Sequence, residues 1–270
     1  MQVRYGQIDR DYGQRLATTP PEDDGPVWMV NLIRHREQAA YADGRGRPLS
    51  GREADDRYSP LDVLAAIGAD PVFVADVDAQ LLGDSPVWDR VAVVRYPTRR
   101  SFIEMQSRPD FQAKHEHKDA GVAETIVCSC VPIPSPMDEV DVADLPAWDS
   151  VPHPPTDEDG PVVVLHLIRF HPGMAGTEMV AYQDDAIEVA RPHGGRIAGW
   201  FGVEGTIVGD GRQWDQARFN AFPSKAAFMA VVLDPARLAA QRSHREVAIA
   251  DTYTMILRPQ VDRLAASVVG

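Results

Sequence analysis

One stretch of this chain occurs twice. Gly25-Pro26-Val27-Trp28-Met29-Val30-Asn31-Leu32-Ile33-Arg34 returns as Gly160-Pro161-Val162-Val163-Val164-Leu165-His166-Leu167-Ile168-Arg169. Further matches follow in the same order. Gly83-Asp84 and Trp88-Asp89 return as Gly209-Asp210 and Trp214-Asp215, and Tyr96-Pro97-Thr98 returns as Phe222-Pro223-Ser224. Phe102, Pro109, His117-Lys118 and Ala123-Glu124-Thr125 match Phe228, Pro235, His244-Arg245 and Ala250-Asp251-Thr252. An ordered series of this kind reads as an internal duplication, which must be recognised before any fold is assigned.

Each copy predicts the same elements. Short β-branched runs at 27–35 and 162–170 read as buried strands. Helices are expected at 56–67 and 177–190, second strands at 72–82 and 196–208, and third strands at 88–96 and 214–222. Thr98 and Ser224 follow a proline and precede amphipathic segments, the place of a helix N-cap. Final strands at 122–131 and 248–257 close each copy. The order β-α-β-β-α-β is the ferredoxin-like split unit, so the expected fold class is α+β with two tandem repeats. Two such sheets packed face to face make an eight-stranded barrel. Closure within one chain gives a monomeric pseudo-dimer; closure between chains gives a homodimer. The expected units are a polar arm (1–24, with a short helix near Asp11–Leu16), the first repeat (25–133), a linker (134–159), the second repeat (160–260) and a tail (261–270). The linker holds six prolines, eight acids and no Lys or Arg, the composition of an extended, solvated tether.

Composition narrows function by exclusion. Forty acids against 27 bases give a formal charge of −13 over 270 residues, which lacks the basic footprint of a nucleic-acid binder. No apolar run approaches a membrane span, and the N-terminus lacks the apolar core of a secretory signal. The two cysteines, Cys128 and Cys130, share a strand face too closely for an unstrained disulfide and read as buried small hydrophobes in a reducing compartment. A cytoplasmic protein is expected. Gly194-Gly195, Gly199, Gly202 and Gly205 form no dinucleotide fingerprint.

Met29-Val30-Asn31-Leu32, Tyr41-Ala42-Asp43-Gly44, Ser50-Gly51-Arg52-Glu53-Ala54 with Tyr58, Trp88-Asp89-Arg90-Val91 and Arg95-Tyr96-Pro97 resemble the dimeric α/β-barrel superfamily. Within it, the chain resembles a largely uncharacterised family, a domain of unknown function. The resemblance implies a barrel fold and a wide choice of function: cofactor-free monooxygenases, lyases, isomerases, dehalogenating and haem-using enzymes, and plain ligand binders. A role in small-molecule or secondary metabolism accords with it. The second copy lacks the Asp-Gly and Ser-Gly-Arg-Glu segments, which sets its site in question.

Several residues are candidates for chemistry. Asn31 and His166 occupy the same position of the first strand, on a face expected to line the barrel, where His166 can act as base or acid. Arg34 and Arg169 match near the strand end and can clamp a carboxylate or form rim salt bridges. His117 and His244 each precede a carboxylate by seven residues, Glu124 and Asp251; such a pair orients a catalytic imidazole or ties a helix end to a strand. Tyr41, Arg52 and Tyr58 lie in an insertion marked as a loop by Gly44, Gly46, Pro48 and Gly51, where Tyr41 can donate a proton and Arg52 and Tyr58 can hold a substrate. The expected function is a cofactor-independent enzyme that binds a small molecule in a pocket inside the barrel and isomerises, eliminates, cyclises or oxygenates it by acid–base chemistry. The alternatives are a haem protein with His115, His117 or His244 as ligand, and a non-catalytic binder of small ligands. No metal site is expected, since His115 and His117 lack a third ligand.

Overall fold

The computed structural model describes residues 3–44, 49–138, 140 and 144–268. Gly46 and Pro48, and parts of the expected arm, linker and tail, lie outside the described residues. The elements run β1 (Gln7–Ile8), α1 (Arg10–Thr18), β2 (Val27–His35), α2 (Gly51–Tyr58), α3 (Leu61–Ala66), β3 (Asp70–Leu82), β4 (Arg90–Tyr96), α4 (Arg99–Ser107), α5 (Pro109–Gly121) and β5 (Val122–Pro132). The second half continues with β6 (Val162–Phe170), α6 (Glu178–Ala190), β7 (Arg196–Gly209), β8 (Gln216–Phe222), α7 (Lys225–Leu233), α8 (Pro235–Ala240), α9 (Glu246–Ala248), β9 (Ile249–Asp262) and α10 (Leu264–Val268).

The strands pair antiparallel in the order β7-β5-β2-β4-β3-β9-β6-β8, and β8 pairs back to β7. This closes an eight-stranded barrel within one chain, with β1 added beside β7. The halves meet at two seams, β5–β7 and β3–β9. Positions that match in sequence do the same work in both. Asp89 and Asp215 each accept a backbone N–H at 2.7 Å, from His35 and Phe170. Asp24 and Asp159 accept the first N–H groups of α4 and α7. Thr98 and Ser224 cap those helices as expected, each accepting from the third residue on at 3.0 Å.

The barrel interior is a packed apolar core. Trp28, Val30 and Leu32 of β2 and Val163, Leu165 and Leu167 of β6 point inward, together with Phe73, Phe201, Phe219 and Met255. Trp88 and Trp214 flank Tyr253 at ring distances of 5.7 and 5.6 Å. The opposite face of the sheet carries the helices. Asn31 and His166 therefore do not look into the barrel, as the sequence pattern led one to expect; they look outward, into the layer between sheet and helices. Both faces of β2 and β6 are buried, so apolar alternation marks two faces without saying which is inside.

Three other expectations change. The helix expected at 56–67 is two helices, α2 starting at Gly51 under a Ser50–Glu53 capping box and α3 starting after Pro60. The insertion read as a loop is thus half helix. Gly51 and Gly121 bring α2 against α5, and a Cβ on either would stand 2.4 Å from the other's carbonyl oxygen. Residues 134–159 are not free of the body: Val151 is buried, and Trp148 donates to Gly194 O at 2.8 Å. At the C-terminus, β9 runs on to Asp262, and Leu264 of α10 is fully buried in the barrel core. Among the described residues no helix is long and apolar enough to cross a membrane.

Candidate functional site

A cleft partly open to solvent lies between the sheet and helices of the second half. It divides the outer layer there into two apolar groups. Val162, Val164, Phe222, Phe228 and Val231 lie on one side; Ile168, Met179, Tyr182 and Ala240 lie on the other. In the first half, Val27, Met29, Tyr96, Phe102, Met105 and Phe111 pack together in the corresponding layer. The cleft described here lies in the half with the sparser sequence resemblance.

Strand register builds the floor of the cleft. His166 stands opposite Thr254 on β9 and Arg218 on β8, and Arg218 stands opposite Trp200 on β7. These four side chains form one row across the outer face. His166 Nδ1 lies 3.0 Å from Thr254 Oγ1, and the Arg218 guanidinium stacks over Trp200 at 4.1 Å. The equivalent row in the first half is Val127, Asn31 and Ala92, where Asn31 donates to Met29 O at 2.8 Å. A histidine and an arginine in the second half thus replace an amide and a methyl group in the first.

Arginines close the inner end. Arg237 of α8 and Arg245, at the end of a π-helical turn over Gln241–Arg245, join Arg218. Burial holds the His166 imidazole well below its usual pKa of 6.5, and the charges of Arg245, Arg218 and Arg237 push it further down. Burial, and the charge of Arg245, lower Arg218 to about 9. His166 is therefore a neutral imidazole at neutral pH.

The other candidate residues are elsewhere. His117 does not pair with Glu124, nor His244 with Asp251. His117 Nδ1 is 2.8 Å from Tyr41 Oη, and His244 Nδ1 is 2.7 Å from Glu178 Oε2. Glu124 pairs with Arg34 across the β2–β5 ladder, and Asp251 takes Arg169 at 3.8 Å and Arg212 at 3.2 Å. These are rim pairs at matching cross-strand positions. Arg52 bonds Asp76 at 2.9 Å. Tyr58 packs edge-on against Phe111 with Lys118 over its ring at 5.2 Å. His115 is buried and bonded to Tyr5 Oη at 2.8 Å. Cys128 and Cys130 are buried in the barrel, and burial pushes the Cys128 thiol up to about 12. Among the described residues no group of three or more His, Cys, Asp or Glu is placed to hold a metal ion.

Sequence reasoning found His166 and missed Arg218 and Arg237; it noted Arg245 only beside His244. The available signal was alternation in β8, where Arg218, Asn220 and Phe222 share a face with the histidine strand.

Buried neutral histidines make stability depend on pH. Burial lowers His115 from 6.5 to about 4, and His166 is also lowered. Below 6.5 the unfolded chain takes up protons that the folded one refuses, so stability falls as pH drops from 6.5 towards 4. Urea unfolding at about pH 7.5 and about pH 5 measures this. The lower pH is expected to give the lower midpoint, and a His115→Gln/His166→Gln variant a flatter profile. A midpoint that rises towards pH 5 contradicts the assignment.

No protein-family model matches the chain, and no curated protein matches it. Among solved structures, an anthrone oxidase-like protein superposes with a TM-score of 0.51 at 14% identity, over 90% of this chain and 97% of that one. The two share a fold. A chlorite dismutase from Candidatus Nitrospira defluvii gives a TM-score of 0.49 at 11% identity, over 92% of this chain and 96% of the other. A protein of unknown function from Rhodopseudomonas palustris is 26% identical over 50% of this chain and 100% of its own, with a TM-score of 0.43.

Proposed function

We propose that the protein is an enzyme acting on a small molecule by acid–base chemistry in the second-half cleft, with His166 as the proton acceptor. The observation that carries this reading is the placement of His166, lining the cleft with Nδ1 3.0 Å from Thr254 Oγ1, where burial and three arginines disfavour its charged form. With the hydrogen on Nδ1, that N–H donates to Thr254 Oγ1 and leaves the Nε2 lone pair to take a proton. The imidazole is free to take a proton at neutral pH, and the arginines that weaken it as a base also stabilise the anion formed as the proton leaves the substrate. Loss of a proton from a carbon beside a carbonyl places charge on the oxygen, and neighbouring guanidinium groups stabilise such an oxyanion. This step is common to isomerisation, elimination, cyclisation and cofactor-free oxygenation. An anthrone oxidase-like protein has the same fold, so such a fold can carry an enzyme. We also read the two halves as products of a tandem duplication whose outer layers have diverged, His166 and Arg218 standing where the first half has Asn31 and Ala92.

Haem is the competing reading, and the residues do not fit it. His115, His117 and His244, its candidate ligands, are bonded to Tyr5, Tyr41 and Glu178 and do not line the cleft. Titration with haemin is expected to give no sharp Soret band at one equivalent.

The test of the base is solvent deuterium exchange, followed by proton NMR, over a panel of aryl ketones and β-keto acids. At least one member is expected to exchange, and His166→Ala to slow it by about a hundredfold or more. A substrate turned over equally by the wild type and His166→Ala overturns the assignment.

A further inference from the structure

The protein pairs buried charge where it can. Asp55, buried in the first half, takes Arg90 at 3.0 Å and His35 at 3.2 Å. The second-half cleft departs from this. Among the described residues, five arginines line it and no Asp or Glu does, in a chain of net charge −13. Arg218 is only 3% exposed, and its guanidinium donates to one neutral acceptor, Gln216 Oε1. Arg237, 9% exposed, donates to Val232 O at 3.2 Å. The Arg245 side chain, 6% exposed, forms no hydrogen bond or ion pair with any described residue; its Nη2 is buried without a partner, and the neighbouring Glu246 favours its charge only through space.

A buried guanidinium without a countercharge is costly, because water's stabilisation of the ion is lost and nothing replaces it. Arginine also presents a planar fork that matches a carboxylate. Arg245 closes a π-helical turn, a local winding frequent at functional sites. Most of the rest of the wall is apolar, with Phe222, Phe228, Ile168 and Met179 facing the space beside the polar His166, Gln183 and Asn220. An anion that met only arginines would leave these walls bare, and a neutral apolar molecule would leave the arginines unpaired.

We infer that the cleft takes a small organic acid, its carboxylate held by Arg245 and Arg218 and its apolar body lying against Phe222 and Phe228. This rests on reading the cleft as the functional site and adds the class of substrate.

The test is equilibrium dialysis of the full chain against 2-naphthoate and its neutral counterpart 2-naphthamide. The acid is expected to bind at one site, about tenfold or more tighter than the amide. Arg245→Met is expected to cost the acid about tenfold or more while leaving the amide unchanged, with Arg245→Lys between the two. Equal binding of acid and amide, absence of saturable binding, or an Arg245→Met variant that binds the acid as the wild type does would each overturn the inference. The two proposals fail separately. Arg245-dependent binding of the acid, with turnover indifferent to His166, sinks the base and keeps the anion site. His166-dependent turnover, with no preference for acid over amide, sinks the anion site and keeps the base.

Discussion

Truncation of Phe219 to alanine is expected to cost about 3–5 kcal/mol of unfolding free energy. Phe219 is fully buried in β8. Its ring meets Phe73 of β3 at 5.6 Å and Phe201 of β7 at 6.1 Å, both edge-on. Phe73 belongs to the first half and Phe219 to the second, so the cavity left by the truncation lies in a core that both halves share. Urea unfolding read by both tryptophan fluorescence and far-ultraviolet circular dichroism gives the result. One transition, moved as a whole to lower urea, is expected from a barrel closed within one chain at two seams. Two transitions, with only one displaced, would mean that the halves fold as separate units.

The second prediction has the opposite sign. Replacing Arg245 by methionine is expected to stabilise the protein by about 1–3 kcal/mol. The guanidinium is buried, its Nη2 has no hydrogen-bond partner, and burial with the charge of Arg237 outweighs the favourable influence of Tyr182 and Glu246, neither of which it bonds. Methionine fills much of the same volume and needs no partner. A structural arginine behaves otherwise: Arg90 pairs with Asp55 and Asp56 at 3.0 and 2.8 Å, and its loss would strand buried Asp55. Arg90→Met is therefore expected to lower stability while Arg245→Met raises it. A destabilised Arg245→Met variant would show that Arg245 serves the fold and not the site.

Much of the architecture was legible in the residues, because strands and caps depend on local chemistry. The run Val27–His35 is a strand at those bounds, and Thr98 and Ser224 cap the helices that their position announced. The ends of elements were less legible where long-range pairing extends them. β9 runs to Asp262 because β3 of the other half pairs with it, Phe73 opposite Asp262. The inside and outside of the barrel were not legible. Trp28, Val30 and Leu32 are as apolar as Val27 and Met29, and only the closure of the sheet decides which set faces in.

The candidate site was partly legible. His166 drew attention as a polar residue in an apolar strand, and it lines the cleft. The pairing of His117 with Glu124 rested on a matched spacing of seven residues. That spacing crosses the end of α5, where the chain turns from helix to strand at Val122. Glu124 then falls opposite Arg34 and His117 turns to Tyr41. Arg218 looked like an ordinary strand charge; its burial is set by α6, α7 and α8, which come to the sheet only in the folded chain. The acidic composition of 134–159 hid Trp148 and Val151, whose packing depends on Gly194 at φ +78°, where Trp148 comes close to the backbone.

The proposed site lies in the second half, in a cleft lined by His166 and by arginines. The most direct measurement is an NMR spectrum of the protein labelled with 13C at histidine Cε1, titrated with 2-naphthoate. The His166 resonance is expected to move and saturate with the acid, while those of His115 and His117, in the first half, stay in place. Movement of His115 or His117 with His166 unchanged would contradict the account and put the site in the other half.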